Sequence, residues 1–452
     1  MSEKSSSEIS YNLYTQETLE PIKVWTLKEL NLKEIKEKYS WLIIKDKVYD
    51  AKTWMMNHPG GDLVISHCLY KDATNQFSQF HPTYVTKLML PKYCIGELDK
   101  KELPFLISNS PLSLDFALLD AQFRAKGYFE NENTFYIKEL SKCALLISLS
   151  IYLVLFGQET FLNYFFASFL LAFGWHQLAF VGHDTGHNGV SGNNSKDHFL
   201  GIIVGSLIGG ISIGWWKDSH YVHHVITNDP EHDPDIQHLP FLAVSIRLFE
   251  NLFSTYHKKI LKFDFLAKIF VRIQHYMYYI LMMFARFNLY VQSLNFIFLN
   301  RRCRWRYLEI PCYLTFFSWY ILLVSYISGF WNKLIFILGS HAISAVLHVQ
   351  ITISHFAMDT EVTNNNEEFF RHQLRTTMDV DCPEWLDWLH GGLQFQVIHH
   401  LFPRMPRRFL RSARKDVIKL CEKYGIKYSS YSFVTGNITV LTHLKTISDK
   451  IK

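Results

Sequence analysis

The sequence predicts an α-helical membrane protein: four transmembrane helices in two hairpins, a helical cytosolic cap, and an N-terminal α+β domain. Three observations predict it. Residues 1–140 are polar, and long apolar runs begin only after them. Four of those runs approach the ~20 apolar residues that cross a ~30 Å hydrocarbon core at 1.5 Å per residue. Finally, the 22 histidines include clusters with helical spacing close to these runs. A hydrophobic content of 48% excludes a disordered chain. A formal charge of +5 is too mild for nucleic-acid binding. The seven cysteines are scattered without a CxxC, which argues against a disulfide framework or a thiolate zinc site.

Each element follows in order. MSEKSSSEIS has no apolar stretch, so no cleaved signal is expected, and residues 1–21 read as a disordered tail. Residues 22–100 read as a compact domain with a strand-like WLIIKDKVYD and a turn at Asn57-His58-Pro59-Gly60-Gly61. Residues 101–140 are a charged connector, helical around 113–126, and the membrane domain occupies 141–452. Spans are expected at 141–157, 160–181, 309–329 and 334–354. The turns within each pair carry little charge, whereas 247–306 carries Arg247, Lys258, Lys259, Lys262 and a cluster at Arg301, Arg302, Arg304 and Arg306. The positive-inside rule then makes that stretch and both termini cytosolic. Residues 258–290 read as an amphipathic helix on the membrane or a soluble helix of the cap. The run 199–216 has five glycines and reads as re-entrant, irregular backbone being tolerated where protein covers it. A fifth crossing is the alternative, and it would separate the histidine clusters described below.

His58 and His81 suit the two axial positions of an electron-transfer haem b. Pro59 fixes the turn, and Gly60 and Gly61 let backbone approach a macrocycle closely. The 23-residue interval leaves room for two short helices to fold back. This segment resembles cytochrome b5. His67 reads as a packed or solvated helix residue.

Three further clusters carry the second chemistry. His183 and His187 sit at i and i+4, and His220, His223 and His224 at i, i+3 and i+4. Gln396, His399 and His400 repeat that last pattern with Gln first. On a helix those offsets share one face. Imidazole is a good iron ligand. Seven convergent rings exceed the needs of one ion and suit two non-haem irons with open positions for O2.

The boxes and their order resemble the membrane fatty-acyl desaturase and hydroxylase superfamily. A Gln-headed third box joined to a cytochrome b5 domain resembles the front-end desaturases, and GWWKDSHYVHHVITNDPEHDPDIQHLPF with HGGLQFQVIHHLFPRMPR is most similar to fungal sphingolipid Δ8 desaturases. The resemblance implies that His183, His187, His220, His223, His224, His399 and His400 ligate iron, with His355 as a further ligand. Gln396 would ligate weakly or hold a water. His341, His348 and His355 recur every seven residues on one helix face; His176 and His348 either line a substrate channel or are buried and bonded, and His390 would support the third box from behind. The reaction implied is O2-dependent desaturation. Two electrons come from the substrate and two from outside, the latter from NADH through a separate NADH–cytochrome b5 reductase, since no GxGxxG opens a βαβ unit. The favoured substrate is the long-chain base of a ceramide at C8–C9 in the endoplasmic reticulum membrane. A Δ5 or Δ6 front-end acyl-lipid or acyl-CoA desaturase shares every motif. A lipid hydroxylase would use the same irons, and a haem carrier would leave the boxes unused.

Overall fold

The computed structural model describes residues 22–300, 303–361 and 367–451. The tail expected at 1–21 and the arginines at 301 and 302 lie outside them. In the N-terminal domain, WLIIKDKVYD forms two strands rather than one. Lys45 takes a left-handed φ of 61° and reverses the chain between β2 (Trp41–Ile44) and β3 (Lys47–Asp50). With β1 (Val24–Trp25) and β4 (Cys94–Leu98) they make a four-stranded sheet ordered β1-β4-β3-β2. Trp25, Trp41, Ile43, Val48 and Leu98 fill its core on one side. On the other, the chain crosses α1 (Asp62–Ser66) and α2 (Thr74–Phe80), the two short helices expected between His58 and His81.

Pro111 opens α3 (Pro111–Ala125), capped by Ser110. The first span, α4 (Asn133–Phe156), begins inside the stretch read as connector, because its first turns are polar yet helical. It pairs with α5 (Phe161–Gly186), and α10 and α11 below repeat the hairpin. Among the described residues four helical segments are long and apolar enough to cross a membrane, at 24, 26, 20 and 23 residues. On α4, Leu145, Leu149, Tyr152 and Phe156 recur at helical spacing and are exposed, as a lipid-facing stripe requires.

The glycine-rich run is bent rather than straight. α6 (Asn194–Gly201) continues as wider turns to Gly209 and meets α7 (Ile213–Val225) at 111°. Gly210 makes the corner at φ +71°, and a Cβ there would fall 2.3 Å from the Phe316 ring. Protein groups serve the broken backbone. Arg286 donates to the Gly209 carbonyl at 2.5 Å, and Glu309 accepts from the Gly214 amide at 3.2 Å and from the Ser212 hydroxyl. The bend suits a re-entrant loop or a broken span, and it returns α7 toward the end of α5.

The 258–290 stretch holds two helices rather than one. It breaks at Ile273 into α8 (Phe265–Arg272) and a longer α9 (Gln274–Leu299). α9 buries Tyr278, Met282, Arg286 and Tyr290 at four-residue spacing and leaves Tyr276, Ile280, Met283 and Phe287 exposed, so one face packs on protein and the other is open and apolar. The second hairpin is α10 (Arg306–Ser325) followed by α11 (Phe330–Ala342) and its continuation α12 (Ala345–Thr352). The cap then adds α13 (Phe369–Thr376), β5 (Asp379–Asp381), α14 (Gln396–Leu401) and α15 (Leu410–Lys423). Phe116 and Phe123 of α3 pack with Phe370, Phe395, Phe402 and Leu410 to hold this layer together.

Candidate metal centre

Two groups of imidazoles converge beneath the cap. His183 and His187 stand one turn apart at the end of α5, His220 projects from α7 and His399 from α14. Their ligand nitrogens lie within 4.8 Å of one another. His223, His355 and His400 form the second group within the same limit. The structure thus brings six of the seven box histidines, plus His355, into two clusters. His224 joins neither but stands between them. Its Nε2 lies 3.0 Å from His220 Nε2 and 3.1 Å from His399 Nε2, and its ring stacks on His400. A neutral imidazole carries one N–H, so His224 Nε2 cannot serve both contacts well. A cation between the rings would relieve the crowding.

The second group is held from behind. His223 Nδ1 lies 2.8 Å from Asp233, His400 Nδ1 3.0 Å from the Gln373 side-chain oxygen, and His355 Nδ1 3.3 Å from the Thr376 carbonyl. Each Nδ1–H donated outward leaves Nε2 with a lone pair facing in. Buried Nε2 atoms of His183, His187 and His400 have no hydrogen-bond partner. Burial first, then the rings of His355 and His223, holds the His400 pKa well below its ordinary value. Burial, then His183 and His220, does the same for His399. Both rings are therefore neutral at pH 7. Burial opposes a charge on His223, but the Asp233 and Asp235 carboxylates beside it push its pKa up to about 9, so a metal ion would take the place of its Nε2 proton. With that exchange, nitrogens aimed at two shared points fit two metal ions.

The remaining residues fall into place around this centre. Gln396 lines a cleft with His183, His187, His399 and Phe180, beside the first group. His176 bonds Gln350 at 2.9 Å, and His341 bonds the Ile337 carbonyl at 2.8 Å and the Tyr290 hydroxyl at 3.2 Å. These two are bonded buried rings. His348 Nδ1 reaches the Met282 carbonyl at 3.0 Å, and His390 approaches Gln350 at 3.4 Å.

Several supporting groups escaped the sequence reading. Asp233 lies ten residues past His223, in an acidic DPEHDPD that was legible but unused. Asp379, fully buried on β5, accepts the Val397 amide at 2.9 Å and so caps the third-box helix; burial pushes its pKa up to about 7. Arg407 crosses from the cap to Asp184 at 2.8 Å and Glu139 at 3.1 Å. It thereby ties the third-box segment to the residue beside His183.

The histidine pair expected to clamp a haem is as compact. His58 Nδ1 is 3.2 Å from the Gly61 carbonyl and His81 Nδ1 is 3.0 Å from the Phe77 carbonyl. Both Nε2 atoms are left for one metal. The ring centroids are 5.9 Å apart, close to the ~6 Å that bonds of about 2 Å to two imidazoles require. Burial lowers the His58 pKa to about 4 and the His81 pKa to about 3, so both are neutral. A Cβ on Gly60 would touch the His58 ring at 3.1 Å. His67 instead faces His232 at 4.6 Å.

Comparison with known proteins agrees with this geometry. Residues 159–432 match the fatty acid desaturase family, and residues 26–99 match the cytochrome b5-like heme/steroid binding domain. A Delta 8-(E)-sphingolipid desaturase of Lachancea kluyveri is 45% identical over 371 residues, covering 79% of this chain and 64% of that protein. One from Candida albicans is 46% identical over 329 residues, covering 71% and 56%. A Delta(8)-fatty-acid desaturase of Helianthus annuus is 38% identical over 410 residues, covering 90% and 87%. The matched region thus spans less than two thirds of the length of these fungal relatives. The chain belongs to the fatty acid desaturase family and carries an N-terminal cytochrome b5-like domain.

Proposed function

We propose that this desaturase-family chain introduces the Δ8 double bond into the long-chain base of ceramides. The observation that carries the chemistry is the pair of imidazole groups with Nε2 lone pairs turned inward, one step from a two-histidine haem clamp. The fungal relatives' names support the substrate and an E double bond. With iron bound, the centre would supply O2 reduction strong enough to remove hydrogen from an unactivated CH2.

The protein's own residues do the rest. His183, His187, His220 and His399 would hold one ion, and His223, His355 and His400 the other, with His224 turning to whichever ion draws it. Gln396 would offer a carbonyl or position a water at the first ion. Asp233, Gln373 and the Thr376 carbonyl fix ring orientation and tautomer in the second group. His58 and His81 would hold haem b and pass on, one at a time, the two electrons that balance O2 to two waters. The substrate supplies the other two. NADH through a separate cytochrome b5 reductase is the proposed source, and the endoplasmic reticulum membrane, with both termini cytosolic, the proposed location.

The Helianthus relative, named for a fatty-acid substrate and matched over most of its length, favours a second reading as a front-end acyl desaturase. Expression in a host lacking Δ8-unsaturated bases separates the two. Mass spectrometry should find a new Δ8 base and unchanged fatty acids. New polyunsaturated acyl chains with unchanged bases would favour the second reading, and a product heavier by one oxygen would mark a hydroxylase.

A further inference from the structure

The haem domain is seated on the desaturase with its clamp turned toward the box helix α7. Leu63 and Val64 of α1 pack with Val222 and Ile226 of α7 and with Tyr256. His67 meets His232 across the same seam. Arg304, just before α10, donates to the carbonyl of Asn57, the neighbour of His58. Two aromatic side chains close the remaining distance. Tyr221, inside the HYVHH box, lies 3.2 Å from where a Gly60 Cβ would stand. Its hydroxyl donates to the Gly186 carbonyl at 2.5 Å, and its ring is 5.8 Å from that of His187. From the other side Phe80, the neighbour of His81, presents its edge to His224 at 6.1 Å. Each haem-ligand loop therefore reaches a box histidine through one aromatic ring.

We infer that Phe80 and Tyr221 are positioning residues that seat the haem clamp against the iron centre for intramolecular electron transfer. This rests on the function proposed above. Each crossing oxidises a ferrous haem to ferric and reduces the histidine-held pair by one electron. Two crossings serve one desaturation, and the reductase restores the haem. Phe80 has no ligand atom, and the Tyr221 hydroxyl is engaged by the Gly186 carbonyl. Their part is to fix distance and orientation, as contiguous packing between the two sites allows. The tether keeps the domain close in any case. Loss of the seat should therefore slow transfer without abolishing it.

The test uses the full chain in lipid nanodiscs, with haem reduced chemically and its reoxidation followed by absorbance in air with ceramide present. A His223→Ala protein stripped of its remaining non-haem iron by chelation gives the background rate. Phe80→Ala and Tyr221→Ala should each slow reoxidation about tenfold toward that background, with haem spectrum, haem potential and iron content unchanged. Tyr221→Phe, which keeps the ring, should stay within about twofold of the parent. Wild-type reoxidation rates in iron- and haem-loaded Phe80→Ala would overturn the inference, and so would a Tyr221→Phe as slow as Tyr221→Ala. Because Phe80 lies outside α7, its variant remains informative if Tyr221→Ala loses iron. Should the unsubstituted chain itself reoxidise no faster than His223→Ala, the iron-centre reading falls, and this inference with it.

Discussion

The two imidazole groups are built differently. In the second, His223, His355 and His400 each have Nδ1 fixed by an acceptor from another part of the chain, at 2.8, 3.3 and 3.0 Å. In the first, the nearest carboxylates stand 3.7 Å from His183 Nδ1 and 3.6 Å from His220 Nδ1, beyond hydrogen-bond reach. The first group also borders the cleft lined by Gln396, which brings a neutral amide where a ring could stand. The second group is thus preorganised by protein, whereas the first lacks that backing and would lean on a bound metal for order. Rigid backing raises ligand basicity and affinity, so the two ions should differ in how tightly they are held.

The largest effect should come from cutting into the second group itself. His223→Ala should abolish desaturation and lower non-haem iron while the haem spectrum is kept; full activity would break the assignment. Next, Asp233→Asn keeps the ligands but removes the backing, and should weaken iron binding by about 10–100-fold. The sharper test is that this loss falls on one ion of the two. Graded chelation followed by iron analysis should release the first-group ion before the other in the unsubstituted chain. Simultaneous release would erase the distinction drawn here.

A smaller effect concerns the frame. Arg407→Leu would remove the cationic partner of buried Asp184, leaving it the Tyr136 hydroxyl at 3.0 Å, and should cost about 3 kcal/mol, read from thermal unfolding. The smallest is a pH effect at the domain seam. Burial, then His232, pushes the His67 pKa down to about 4. A base depressed when folded leaves stability intact above its unfolded pKa near 6.5 and erodes it as pH falls toward 4, by at most about 1.4 kcal/mol per unit. His67→Gln should flatten the melting curve's pH dependence in that window.

Ligands were more legible than what holds them. The offsets within HDTGH, HYVHH and QVIHH follow from helical periodicity, so single-chain spacing shows which rings share a face. The bend at Gly210 was foreshadowed by glycine content, since only backbone sheltered by protein tolerates such a break in a membrane. Asp233, Gln373, Asp379 and Arg407 have no such signature, because each reaches its partner through tertiary folding. The division of the boxes between two groups was hidden for the same reason. Neighbours His223 and His220 leave one helix toward different clusters, and only the placement of α5 and α14 decides which. The cations at 258–272 precede α9, and they gave no sign that Arg286 within it is buried beside Trp175 and the Gly209 carbonyl.

Metal content is the most direct measure of the two-group centre. Full-length protein purified after growth with ample iron should contain one haem and about two further irons per chain, the latter falling in His223→Ala while haem is retained. Iron equal to haem alone, in folded and haem-loaded protein, would contradict it.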